Sequence, residues 1–392
     1  MKERELRKRL LTDSVPEELE ARERVWSTVR AAWETRERVS WAERRARPIL
    51  ALAAAAVLVG AAVSPPGRVA AGWLREQVAV EEEQGRPLVR LPAPGRLLVI
   101  SPQGPWVVQS DGSRRLLGAY EDASWSPNGL YVAVTGGRRL AAVEPDGSLR
   151  WSLSRPQQVS QPRWFPRTGF RVAYRSGNNL RVVVGDGTED RLLARYVGPV
   201  APAWRPGERH VLAYADGEGG VRVVDVDASQ QLARLPVPDG AQKLIWTGDG
   251  RRLFILAGNG RIDSYRPDRS ELLLKSYALN ATEVDSVALD PGSRRLAATD
   301  FDRATGRSRV VLMSLGGGAP QELTSLAGQL GEIAWSPDGR WLLVAWPDAD
   351  QWIFLRVSEE RPRIVTVSNV SREFDPGATG PGDFPRVAGW CC

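Results

Sequence analysis

At 392 residues the chain is too long for one ordinary compact core, so several domains or a repeat architecture are expected. A balance of 53 basic against 47 acidic side chains is no nucleic-acid footprint. A single histidine, His210, removes most metal sites and hydrolytic triads, and cysteine occurs only as Cys391 and Cys392, so no disulfide framework staples the fold.

Residues 1–47 form a charged tail in which Val25, Trp26, Val29, Ala32 and Trp33 recur at helical spacing after Pro16. The stripe fits a solvated juxtamembrane helix or a docking helix for a cytoplasmic partner. Residues 48–64 are then expected to cross a membrane, because the fifteen residues from Ile49 to Val63 carry no polar side chain. At ~1.5 Å per residue they span ~22 Å, short of a ~30 Å hydrocarbon core. Snorkelling Arg44, Arg45 and Arg47 and local thinning cover the deficit. Five arginines precede the span (Arg36, Arg38, Arg44, Arg45, Arg47) and only Arg68 and Arg75 follow it closely. The positive-inside rule therefore puts the N-terminus in the cytoplasm and the rest outside. Residues 65–85 read as a short interfacial helix, with Val69, Trp73, Leu74 and Val78 on one face, and an acidic linker.

From residue 86 to 392 the pattern changes to strands and turns. The stretch IAWSPDGRWLLVAW from Ile333 is an apolar strand, a tight turn and a second apolar strand. Pro337 presets the turn, Asp338 bonds locally and Gly339 takes the positive φ. The motif recurs as ASWSPNGLYVAV from Ala123, PRWFPRTGFRVAY from Pro162, PAWRPGERHVLAY from Pro202, LIWTGDGRRLFIL from Leu244 and VALDPGSRRLAAT from Val287. The anchors Trp125, Trp164, Trp204, Trp246, Leu289 and Trp335 stand 39, 40, 42, 43 and 46 residues apart. A second turn follows most anchors by 21 to 23 residues, as at Pro145-Asp146-Gly147 and Gly185-Asp186-Gly187. Each unit is thus a four-stranded meander, and a period near ~40–45 with four strands means propeller blades. The fifth unit carries a polar insert, Asp300–Ser308.

The ends hold partial copies. GRLLVISPQGPWVVQSDGSRRLLG from Gly95 supplies three strands, and FPRVAGW, ending at the further anchor Trp390, resembles the opening strand of a unit. One blade shared between the two ends would remove exposed sheet edges; the stretch Leu91–Val99 is the rival source of its first strand. Either way the count is seven blades, with a six-bladed ring the alternative fold. WSPNG, WSPDG and their relatives resemble the repeat of TolB-like propellers, bacterial cousins of WD-type propellers. The resemblance covers about residues 86–392 and implies the fold first, since function varies widely on it. The copies at Pro202 and Val287 depart from it: Arg205-Pro206-Gly207 lacks the turn Asp, and Leu289 replaces the Trp.

No catalytic set, cofactor motif or metal cluster emerges. His210 reads as a turn-adjacent strand residue, no G-x-S-x-G elbow or Walker loop is present, and the turn aspartates Asp111, Asp146, Asp186 and Asp338 are explained by local backbone bonding. The sequons at Asn280 and Asn369 read as chance matches in a bacterial host. Cys391-Cys392 fits a vicinal disulfide, a metal-catching pair or two inert thiols. The expected protein is a non-enzymatic, single-pass membrane protein whose extracytoplasmic propeller binds a protein or cell-envelope ligand, with no nucleic-acid partner. A transmembrane signalling regulator acting through its tail, and an enzyme using the central channel, are the alternatives.

Overall fold

A computed structural model describes residues 90–392 of the chain apart from 168–169, 269–272, 278–282, 358–362 and 378–382. The expected tail, membrane span and linker lie outside the described residues, among which no helix is long and apolar enough to cross a membrane.

Seven four-stranded antiparallel sheets form the blades of a β-propeller. Six are consecutive meanders, over residues 122–154, 159–194, 203–236, 241–277, 283–327 and 333–368, here blades 2 to 7. The first strand of each blade touches that of the next around the whole circle, which makes it the inner strand and closes the ring. Blade 1 is the shared one. Its inner strand, Arg386–Cys391, pairs antiparallel with Arg96–Ser101, placing Trp390 opposite Leu97 and Arg386 opposite Ile100. The stretch at Leu91 therefore does not supply a first strand. Leu91 and Ala93 instead pack with Trp341, Trp352, Phe374 and Trp390 in the cluster between blades 1 and 7. The ring thus has seven blades and not six.

The turn after each inner strand shows why the motif has its residues. In blade 7, Ser336 Oγ donates to Asp338 Oδ1 (2.6 Å) and accepts the Trp341 amide (2.9 Å), while Asp338 Oδ1 also accepts the Arg340 amide (3.0 Å). Gly339, at φ +66°, donates its amide back to the Ser336 carbonyl (2.9 Å). Ser126-Pro127-Asn128-Gly129 in blade 2 and Thr247-Gly248-Asp249-Gly250 in blade 5 repeat this network. In blade 6, Asp290 replaces the hydroxyl residue and accepts the Arg294 and Arg295 amides at 2.7 and 2.8 Å. The first and third turns of a meander lie on one face of the ring, hereafter the turn face.

The anchors join blade to blade. Trp204, Trp246 and Trp335 each donate the indole N–H to the carbonyl just before the preceding anchor, on Arg163, Ala203 and Ala288, at 2.9, 3.0 and 3.2 Å. Leu289 has no N–H to give. Three arginines add a second tie: Arg96, Arg205 and Arg295 lie over the rings of Trp125, Trp246 and Trp335 in the next blade, at 5.0, 5.4 and 4.8 Å from the centroid. Each also donates to that blade's turn-glycine carbonyl, on Gly129, Gly250 and Gly339, at 2.6 to 2.7 Å. Stacking and a charged hydrogen bond thus act at one spot.

The insert expected at Asp300–Ser308 is mostly strand. The second and third strands of blade 6 run on as Arg295–Asp302 and Arg307–Ser314, so only four residues turn between them. Asp300 is fully buried there and is held by the Arg309 guanidinium at 3.0 and 2.7 Å, which makes a charge in the sheet tolerable.

Candidate functional site

Blade 3 breaks the turn pattern, and a pocket forms beside the break. Where blades 2, 5, 6 and 7 place Ser, Thr or Asp, blade 3 has Phe165, fully buried and edge-on to Trp204 (5.4 Å between centroids) and to His210 (4.7 Å). A phenyl ring cannot organise a turn by hydrogen bonding, so it packs into the neighbouring blade instead. Phe170 folds edge-on to the anchor Trp164 at 6.5 Å and stays 38% exposed.

Trp151, on the outer strand of blade 2, closes the other wall by donating its indole N–H to the Gly185 carbonyl at 2.7 Å. The Gly185-Asp186-Gly187 turn must be this small: a Cβ on Gly185 would sit 2.7 Å from Phe170, and one on Gly187 would sit 2.9 Å from the Trp151 ring. The result is a pocket of about 830 Å³ on the turn face, walled by Tyr131, Trp151, Trp164 and Phe170 with Arg171 and Asp186 among its polar groups. The Trp164 indole N–H is buried without a hydrogen-bond partner among the described residues, unlike three of its fellow anchors. The Asp186 carboxyl is held below the usual carboxylate range by the hydroxyl and amide of Thr188. Such a surface binds by ring area and a few directed polar groups.

His210 lies at the pocket's edge, immediately before a strand, as expected from its turn-adjacent position. Its Nδ1 is 2.5 Å from Asp227 Oδ2, and Arg171 bridges to Asp227 Oδ1 at 3.1 Å. The histidine is thereby tied into a charge network joining blades 3 and 4.

The inner strands carry a second polar feature. The side chain two before each anchor is buried in the blade, as at Ala123, Pro162, Leu244 and Ile333, while the one three before is half-buried and faces the axis. Those axial positions are Asp122, Gln161, Ala201, Lys243 and Glu332; bulges in blades 1 and 6 put Arg386 and Asp285 at the matching level. Arg386 donates to Asp122 Oδ1 (2.8 Å), and Asp122 Oδ2 accepts the Gln161 amide (3.1 Å). Lys243 Nζ donates to the Val287 carbonyl (2.8 Å), and the Gln329 side chain donates to Asp285 Oδ1 (2.8 Å). A polar belt therefore lines the channel.

The anchors foreseen from the sequence end inner strands around the ring. Trp164, Trp204, Trp246 and Trp335 are buried, and Trp125 is half-buried. They frame the pocket and the belt, but only Trp164 enters the pocket. Cys391 and Cys392 form a disulfide with each other, and Cys392 packs against the Pro127–Gly129 turn of blade 2. Sequence reasoning missed the pocket, whose walls come from three blades. The belt did leave a signal, the charged or polar residue three before most anchors.

No family model matches the chain. It is 26% identical over 145 residues, 36% of its length, to the "Uncharacterized peptidase YuxL" of Bacillus subtilis (strain 168), and spans only 21% of that protein. Among solved structures, KlHsv2 with loop 6CD replaced by a Gly-Ser linker is similar at 13% identity and a TM-score of 0.54, covering 72% of this chain and 99% of that one. The Cps50 (Swd1) β-propeller domain of Myceliophteria thermophila gives 12% identity and a TM-score of 0.49 over 62% and 84%. The chain is a seven-bladed β-propeller.

Proposed function

We propose that this protein is a membrane-anchored, TolB-like propeller that binds a protein or cell-envelope ligand outside the cytoplasm without transforming it. The observation that carries the binding role is the aromatic pocket on the turn face, where Phe170 stays 38% exposed beside Tyr131 and Trp151. The WSPDG-type repeats support the TolB-like assignment. The apolar stretch from Ile49 to Val63 and the arginines before it support the anchor.

A photo-crosslinking residue placed at Phe170 in the native cells tests the reading, with the exposed Arg251 on blade 5 as the control position. Adducts specific to position 170 are expected, and a pattern identical at both positions would overturn the pocket's role. A reporter active only outside the cytoplasm should report when fused after Cys392 and stay silent when fused after Trp41; the reverse removes the anchor orientation.

The likeness to a peptidase favours a second reading, in which the propeller belongs to a peptide-processing system and presents chains rather than cutting them. Peptide hydrolysis by the purified protein, abolished by His210→Ala, would turn that reading into an enzyme.

A further inference from the structure

The cations of the axial belt and of the level beside it are not all paired with its carboxylates. Arg386 is paired with Asp122 at 2.8 Å. Lys243 of blade 5 and Arg163 of blade 3 have no carboxylate within ion-pair distance among the described residues. Among the described residues their side chains donate to backbone carbonyls alone, on Val287 at 2.8 Å and on Pro162 at 2.7 Å. Both stand on inner strands, and neither reaches open solvent fully. A half-buried cation satisfied only by a neutral carbonyl lacks its best partner.

We propose that the channel binds a carboxylate group between Lys243 and Arg163. A monoanion suits the place. Asp122, Asp285 and Glu332 already stand on the same belt, and a doubly charged phosphate would meet their repulsion. The level next to the belt, one residue before the anchors, carries Arg163 itself and Ile245, and is small elsewhere, at Ser124, Ala203, Ala288, Ala334 and Gly389. Two sources share the chemistry, a free small acid and the C-terminal carboxylate of a peptide. The site is separate from the turn-face pocket, so either can fail alone.

The electrostatics of Lys243 agree with this geometry. Burial pushes its ammonium down to about 8; Glu332 opposes that shift, and Arg163 and Arg386 add to it. Asp122 and Asp285 are the other charged groups of the belt, and blade 4 contributes only alanines to these levels. A carboxylate arriving beside Lys243 restores the charged form, so the ligand and the proton bind together.

The chain has four lysines, which makes the test specific. The full-length protein is acylated with a limiting amine-reactive ester at pH 7, and labelling at Lys243 and at exposed Lys275 is read by mass spectrometry. Acetate, triglycine and triglycinamide are the probes. Protection of Lys243 by triglycine and acetate but not by the amide is expected, about tenfold for each unit by which its pKa rises, with Lys275 unchanged. Arg163→Met should abolish the protection while the melting temperature stays within a few degrees. Protection by acetate alone keeps the site and assigns it to small acids; protection by triglycine alone assigns it to chain ends. Equal protection by triglycine and its amide, or none by any probe, overturns the proposal.

Discussion

Blades 2, 5 and 7 share one turn chemistry, whereas blades 3 and 4 have lost it, and the contrast locates the pocket. In the first group a Ser or Thr hydroxyl and an Asp or Asn side chain satisfy the turn amides internally, and the neighbouring blade adds an arginine bond to the turn glycine's carbonyl. In blade 3 the equivalent residue is Phe165, and in blade 4 it is Arg205, which reaches out to the Gly250 carbonyl and to Asp268 of blade 5. A turn that satisfies itself stays compact. One built on a ring or a guanidinium draws on its neighbours, and between blades 2 and 4 that leaves an aromatic concavity.

The comparison can be broken most severely at the closure. Deleting residues from Phe384 onward removes the inner strand of blade 1 and leaves unpaired edges beside the channel. Joining distant chain ends costs only a few kcal/mol in entropy, less than a buried strand returns, so the truncated protein should be insoluble or melt far lower. A melting temperature close to that of the intact chain would show that the ring closes by other means.

Next come the large rings. Trp335→Ala in a regular blade and Phe165→Ala in the irregular one should each cost about 3–5 kcal/mol, measured as shifts in denaturant midpoint. At the same repeat position as Phe165, Ser336→Ala should cost about 1–3 kcal/mol, because it strands the Trp341 amide. Equal losses for Phe165→Ala and Ser336→Ala would mean the two turns work alike.

Smaller still is a pH effect. Lys243 has a folded pKa below its unfolded value, so the unfolded chain holds more protons between about pH 8 and the ordinary lysine value near 10.5. Its contribution therefore makes stability rise with pH across that window, and Lys243→Met should remove that part of the rise. Identical stability–pH curves for the two proteins would contradict the burial of the ammonium. Arg251→Ala, on a side chain 80% exposed, should change stability by no more than ~0.5 kcal/mol.

Much of this architecture was legible in the sequence because each blade repeats the same local solution. Trp335 and its relatives mark the ends of inner strands, the turn residues announce the hairpins, and FPRVAGW could be matched to a unit's opening strand. The pocket was not legible, since Trp151, Phe170 and His210 occupy unlike positions in three successive units and meet only when the ring forms. Asp300 was read as part of a polar insert because a buried carboxylate in a strand cannot be distinguished from a loop until Arg309 is seen across from it. The axial belt lay between. Its residues keep a fixed distance from the anchors, but bulges at Asp285 and Ala388 blur the period.

The shared blade also sets the order in which the molecule can be made. Strands near residue 96 leave the ribosome almost three hundred residues before their partner near residue 390. Blades 2 to 7 can assemble as each meander emerges, yet blade 1 must wait with an open flank until synthesis has passed Cys391. A nascent chain interrupted anywhere earlier keeps that flank exposed, so ring closure acts as a completeness check, and unfinished copies present the cell's proteases with an obvious target.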